Sequence, residues 1–356
     1  MSGPPDGVER ILLGHGGGGT LMQQLIEREI HWLYDDPHGV LHDATRLELP
    51  HGRLAFSTDG YVVHPLEFPG GDIGKLAIIG TANDLAMAAA RPLHLSVALI
   101  LEEGLPLELL RRVLASMAAA ARACGVSIST GDTKVVERGK GDGLFVTTSG
   151  IGLVETALPV DPLAIQPGDQ VLVSGDLGRH GLAIAAARYQ LDLQPPIETD
   201  CAPLWPAVAR LLAAGVEVHC LRDLTRGGLG SALQELAQDG GVELALEEAA
   251  IPVATAVARS CELLGFDPLH LANEGRFVAV VRADHGERAL AVLAPAGGAC
   301  IGTVRACSGR GEVSGRQASG GKASGGKGPG RVLLRTALGT ERLLVPFSGE
   351  MLPRIC

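Results

Sequence analysis

Glu155-Thr-Ala-Leu-Pro-Val-Asp-Pro-Leu-Ala-Ile-Gln-Pro-Gly-Asp-Gln170 divides the chain. Pro159, Pro162 and Pro167 remove backbone donors, and Gly168 favours a turn, so no regular element runs through this stretch. C-terminal to it, short apolar runs alternate with helical periodicity. Strands are expected at 171–174, 216–220, 242–246, 277–281 and 299–304. Helices are expected at 180–190, 205–214, 228–238, 252–264 and 284–294. N-terminal to it, strands are expected at 53–64, 126–130 and 144–154, and an Ala-rich helix at 73–90. The clearest helix is 106–124, with Leu107, Leu110, Leu114, Met117, Ala121 and Cys124 on one stripe and Gly125 as its stop. Residues 8–20 carry a short apolar stretch into a glycine run. The pattern is an α+β/α/β chain with one domain in 1–155, a second in 165–345 and a tail over 346–356.

Composition narrows the function. The 356 residues are 46% hydrophobic but only 3% aromatic, so Ala, Leu, Val and Gly must fill α/β layers. A formal charge of −10 argues against nucleic acid as the main partner and suits carboxylates gathered round a divalent metal. The seven cysteines include no CxxC pair, which argues against structural zinc and for reduced thiols in a cytoplasm. The start has neither a basic region nor an apolar run, so no signal peptide is expected, and no apolar run is long enough for a membrane span. Residues 308–330 are Gly/Ser/Lys-rich without apolar periodicity and read as a flexible basic insertion at a hairpin tip.

Several residues could carry chemistry. Gly14–Gly19 satisfies GxGxxG, with Asp35-Asp36 downstream, yet 26–34 reads as continuing helix where a dinucleotide site needs a second strand. Gly16, Gly17 and Gly18 suit a mobile loop over phosphate; a Rossmann turn and a plain linker remain open. Asp43, Asp59, Asp84, Asp132 and Asp223 sit in turn-like or helix-start settings, and hard carboxylate oxygens suit magnesium. Each could instead be a turn former or cap. Asp84 is the most telling, because a carboxylate in an apolar helix needs a partner. Thr130-Gly-Asp-Thr-Lys134 reads as a turn ending a strand, with Lys134 either on phosphate or on the surface. Thr225-Arg226-Gly227-Gly228 opens a helix and suits an anion. Glu274, in Ala272-Asn-Glu-Gly-Arg276, is a candidate general base or a plain turn residue. The final Met351-Leu-Pro-Arg-Ile-Cys356 ends in a thiol on a tail that, extended from Pro346, reaches about 36 Å. A prenylation signal is excluded, since that needs Cys four from the end.

These motifs together resemble the HypE family of hydrogenase maturation factors. This is a branch of the PurM-like superfamily that includes aminoimidazole ribonucleotide (AIR) synthetase and selenophosphate synthetase. The matching stretches are His15-Gly-Gly-Gly-Gly19, Phe56-Ser-Thr-Asp-Gly-Tyr61, Gly80-Thr-Ala-Asn-Asp-Leu-Ala-Met87, Thr130-Gly-Asp-Thr-Lys-Val-Val136, Asp223-Leu-Thr-Arg-Gly-Gly228, Ala272-Asn-Glu-Gly-Arg276 and Pro353-Arg-Ile-Cys356. The likeness covers nearly all the chain except 308–330. The resemblance implies a PurM-like two-domain fold, with the N-terminal domains of a homodimer pairing into a β-barrel and a sandwich-like C-terminal domain. It implies ATP and Mg2+ near that interface. Asp59, Asp84 and Asp132 take metal and phosphate positions, beside Thr133, Arg226, Gly227 and the glycine loop; Asp43 and Asp223 are further metal candidates.

The implied activity is ATP-dependent dehydration of a carbamoylated C-terminal cysteine, here Cys356, to a thiocyanate that becomes the cyanide ligand of a hydrogenase iron. Glu274 is the expected base, tuned by Lys134. The implied partners are a carbamoyltransferase of HypF type and an iron-carrying complex of HypC–HypD type, with no nucleic acid and no membrane. Two other readings stand beside this one. Another ATP-using PurM-like enzyme, of selenophosphate synthetase or thiamine-phosphate kinase type, would give Cys356 no role. A non-catalytic scaffold presenting a thiol would hydrolyse no ATP.

Overall fold

The computed structural model describes residues 8–34, 44–307, 330–336, 338–345 and 352–356. In chain order the first half holds α1 (Thr20–Leu25), β1 (Leu54–Tyr61), the short pair β2 (Glu67–Phe68) and β3 (Gly71–Asp72), and α2 (Ile73–Met87). It continues with β4 (Ala90–Glu102), α3 (Leu107–Cys124), β5 (Ser127–Val136) and β6 (Leu144–Val154). The four long strands form one sheet in the order β1-β6-β4-β5, antiparallel except for the β4–β5 pair. Helices α2 and α3 cover one face of it. The opposite face leaves Phe56 71% exposed, with Leu54 and Ile100 also exposed.

Helix α2 is apolar on every side, and a helix of that kind belongs inside a protein. It lies between the first sheet and the second half, touching β8 and α5 as well as β1 and β6. Asp72 caps it, accepting from Gly74 N at 2.7 Å and Lys75 N at 2.9 Å. Within it, Asp84 accepts from Ser57 on β1, and Asn83 bonds to backbone of the second half.

The second half holds β7 (Gln170–Val173), α4 (Arg179–Tyr189), α5 (Trp205–Ala213), β8 (Val218–Asp223), α6 (Gly228–Gly240) and β9 (Val242–Glu247). After these come α7 (Thr255–Leu264), β10 (Phe277–Val281), α8 (Gly286–Leu293), β11 (Ala299–Ala306), β12 (Arg331–Arg335) and β13 (Glu341–Leu343). Seven strands form a mixed sheet ordered β13-β12-β9-β11-β7-β10-β8. Val171, Val173, Val278 and Val280 pack towards α6, whereas Leu172, Phe277, Ala279 and Val281 pack towards α5 and α8. Both faces are thus covered, and β10 is buried along its whole length, as its unbroken apolar run requires.

Four expectations need correction. The helix expected over 73–90 ends at Met87, where Ala89 takes a left-handed φ of +51°. The strand that follows, Ala90–Glu102, is central to the first sheet and was missed, because Arg91, Pro92 and His94 blur its alternation. Thr130–Lys134 is not a turn after a strand. It is part of β5, which runs on to Val136 with an irregularity opposite Leu95 and Ser96. The segments flanking 308–330 do not pair as a hairpin, since β9 lies between β11 and β12. The insertion itself, apart from Gly330, lies outside the described residues, as does Asp43. Among the described residues no helix is long and apolar enough to cross a membrane.

Candidate active site

The chain's last five residues lie in a groove between the two halves. Leu352 and Ile355 are buried. Val62 N donates to Cys356 O at 3.1 Å and His64 N to Arg354 O at 3.3 Å, while Arg354 Nε returns a bond to Val62 O at 3.0 Å. Arg354 pairs with Asp142 at 2.5 Å. Arg188, at the end of α4, donates to Pro353 O at 2.7 Å, to Arg354 O at 2.9 Å and to His64 O at 2.7 Å. His180 Nε2 lies 2.9 Å from Ile355 O. A cavity of about 390 Å³ beside the tail is lined by Gly60, Arg226, Gly227, Ser231, His270 and Cys356, among others.

This seat decides the state of the thiol. Burial pushes Cys356 up to about 12; the charges of Glu274, Asp59 and Asp223 act in the same direction, and only Arg226 opposes them. Four carboxyls thus converge on the groove from β1, α2, the end of β8 and the loop before β10. Glu274 is 3% exposed, and burial raises it well above its ordinary range, with Asp223 and Asp200 adding to the effect. Its Oε1 has no hydrogen-bond partner among the described residues.

Asp84 accepts from Ser57 Oγ at 2.7 Å and shares a hydrogen bond with Asp223. Two carboxyls can share one only if a proton stays on one of them. Burial, and then the Asp84 charge, push Asp223 up to about 7. This donor set fits a divalent cation: hard oxygens, a nearby hydroxyl, and a trapped proton that a cation would displace. Among the described residues no three His, Cys, Asp or Glu side chains already stand in ligand geometry. Phosphate oxygens and water would have to complete the shell.

The remaining candidates form a second group. Asp132 lies on β5, at the far edge of the sheet from Asp59 on β1, about 14 Å away by ordinary strand spacing. Lys134 Nζ sits 2.6 Å from Asp132 Oδ2, and Thr133 N donates to Asp132 Oδ1 at 2.9 Å. The glycine run packs here too: a Cβ on Gly16 would come 2.9 Å from Val135 Cβ. Gly17 and Gly18 are exposed, and the chain winds helically from Thr20 through Leu33, with no strand before the run among the described residues. A Rossmann turn is therefore excluded. One chain brings Asp59, Asp84, Asp223, Glu274, Arg226, Gly227 and Cys356 together, but not Asp132, Thr133, Lys134 or Gly16–Gly18.

Three supporting residues carry no role in the sequence reading, although Asn83 stands in one of its motifs. Asp200 binds Glu274 N and Gly275 N, each at 3.1 Å, and so fixes the turn bearing Glu274. Asn83 ties the halves together, donating to Ala202 O and Glu274 O at 3.1 Å and accepting from Leu204 N at 2.8 Å. His180 was the third. Nothing in the pattern around Asp200 or His180 marks them, since their partners lie far off in the chain.

Fold and site together define an AIR synthase related protein. The N-terminal domain of that family matches residues 41–154 and its C-terminal domain matches 166–313. The chain is 48% identical to the carbamoyl dehydratase HypE of Rhodobacter capsulatus, over 98% of each chain. A structure of the hydrogenase maturation protein HypE in complex with ATP superposes with a TM-score of 0.89 at 43% identity, covering 97% of this chain and 99% of that one. A HypE–HypF complex superposes at 0.75 with 38% identity, covering 92% of this chain and 100% of that one. The chain belongs to the HypE family of carbamoyl dehydratases, and the resemblance read from its motifs holds.

Proposed function

We propose that this chain uses ATP to dehydrate a carbamoyl group carried on its own Cys356, yielding a thiocyanate for hydrogenase maturation. The observation that carries this reading is the docked tail, which sets a C-terminal thiol against Glu274 and a carboxylate cluster suited to metal and phosphate.

The chemistry follows from the groups present. A thiocarbamate, R–S–C(=O)–NH2, cannot shed its oxygen as hydroxide. Its carbonyl oxygen attacks the γ-phosphorus of ATP, ADP leaves, and one N–H proton is lost, giving an O-phosphorylated imidate. Loss of the second N–H proton with cleavage of the C–O bond expels phosphate and leaves R–S–C≡N. The sum is thiocarbamate plus ATP to thiocyanate, ADP and phosphate. Burial, and then like charges, raise the proton affinity of Glu274; a bound cation would oppose both and favour the ionised carboxylate, which we assign as the base for the amide. Arg226 and the backbone at Gly227, where α6 begins, offer donors to phosphate. Asp59, Asp84 and Asp223 would hold Mg2+, which offsets charge on the triphosphate. The buried seat keeps water from the product.

Lys134, Asp132 and the Gly16–Gly18 loop enter through a second copy. The open face of the first sheet exposes Phe56, Leu54 and Ile100. We take it as a homodimer face that closes a barrel and brings one chain's β5 group to its partner's tail groove. Because the tail is seated in its own groove, it must leave to be loaded by a carbamoyltransferase of HypF type and again to reach an iron carrier of HypC–HypD type. The seven cysteines form no disulfide among the described residues, which suits a reducing cytoplasm.

Intact mass tests the reading. After loading, the chain gains about 43 Da, and ATP then removes about 18 Da, the mass of one water. A persistent carbamoyl adduct in the presence of ATP and Mg2+ overturns it.

A further inference from the structure

His180, in the first turn of α4, is fully buried. Phe68 meets its ring edge-on at 5.6 Å and holds the ring plane. Its Nδ1 lies 2.8 Å from Thr199 Oγ1, and its Nε2 lies 2.9 Å from the carbonyl oxygen of Ile355. A carbonyl only accepts, so Nε2 carries the proton. Burial keeps the ring neutral, so Nδ1 accepts from the Thr199 hydroxyl, which in turn accepts from Cys201 N at 3.1 Å. The imidazole has one N–H to give, and the docked tail has it.

Glu274 Oε1 stands 4.0 Å from the same Nε2, beyond a hydrogen bond, and has no other partner among the described residues. A buried carboxyl oxygen and a buried N–H do not both stay orphaned when each is within reach of the other. With the tail withdrawn, the N–H loses Ile355 O. A movement of about 1 Å then brings Oε1 to hydrogen-bond distance.

We propose that His180 is a positioning residue for the dehydration, its Nε2–H passing from Glu274 Oε1 to the Ile355 carbonyl when the tail docks. Seating the cargo frees the Glu274 oxygen that must take the amide proton. Withdrawal re-engages it. The contact also fixes the carbonyl next to Cys356, so one N–H both aims the thiocarbamate and releases the base. This rests on the reading that Cys356 carries the reacting group and Glu274 acts on it.

The test uses the full chain, loaded on Cys356, with water loss followed by mass after ATP addition. His180→Phe removes the N–H and keeps an aromatic filling. It is expected to load as wild type but lose water at least on the order of tenfold more slowly. His180→Gln, which retains an amide N–H, recovers most of the rate. The phenylalanine variant also leaves Cys356 more open to iodoacetamide, because the tail has lost a bond. If His180→Phe does not fold, Thr199→Val removes the hydroxyl that fixes the tautomer, and slowed water loss with normal loading is again expected. Wild-type rates in whichever variant folds overturn the inference. Failure of the wild-type chain itself to lose water overturns the enzyme reading instead.

Discussion

At the scale of the residue, Cys356 shows how one side chain records its own position. A thiol with an ordinary value of 9.0 is held at about 12 in the docked tail, burial being the main cause. The docked state binds the proton more tightly than the free tail does. The thiol's own contribution to docking is therefore unaffected by pH well below 9, and weakens as pH rises from 9 towards 12 and the free tail ionises first. Iodoacetamide labelling, taken relative to a free peptide with the same last residues, should be strongly suppressed at about pH 8 and lose that suppression above about pH 9. A ratio near one at the lower pH would mean that the tail is not seated. The same groove explains Glu274. Asp200 pins its turn, while burial first and like charges second raise its proton affinity.

At the scale of the element, α2 sets the two halves against each other. Its sequence is largely apolar, and its two central polar residues are partnered: Asn83 bonds across the interface, and Asp84 is held by Ser57 in its own half and by Asp223 across the interface. Where α2 crosses α3, Gly74 permits the approach: a Cβ there would lie 2.5 Å from Val113 O and 2.9 Å from Met117 Cγ. Gly74→Ala should cost about 1–3 kcal/mol, read as a lowered denaturant midpoint with an unchanged slope. An unchanged midpoint would mean that the helices separate freely. Helix α4 plays the other structural part. His180 in its first turn and Arg188 in its last both hold tail carbonyls, so one rigid element clamps a peptide at two points.

At the scale of the whole molecule, the candidate residues fall at opposite edges of the first sheet. A homodimer that joins one chain's β5 group to its partner's tail groove makes a clear demand. Lys134→Ala and Glu274→Gln homodimers should each be inactive. Mixed dimers should regain about a quarter of wild-type activity, since half of the pairs are hybrids and each hybrid keeps one intact site. No recovery on mixing would place Lys134 and Glu274 in the same chain's site. The fold alone does not choose the reaction. A thiamine-monophosphate kinase from Stenotrophomonas maltophilia shares it at a TM-score of 0.55 with only 20% identity.

Much of this protein was legible before any coordinates. The stripe of α3 and the alternation after Gln170 are local periodicities, and periodicity is what a sequence records directly. Asp84, Glu274 and Cys356 were legible as candidates only: a carboxylate in an apolar helix needs a partner, one in a loop before a strand can serve as a base, and a thiol on a tail can travel. The strand Ala90–Glu102 was not, because its proline and charges lie where tertiary pairing overrides local pattern. Nor were the parallel seat of β12 beside β9, the reach of Asp200 to residues 274 and 275, or the separation of Asp132 from Asp59. The sequence by itself determined which groups could do chemistry and most of the segments that are helix or strand. Only the tertiary structure decided which of those groups meet. Contacts between residues far apart in the chain are selected by burial and hydrogen bonding summed over the whole fold, and no local window contains that sum.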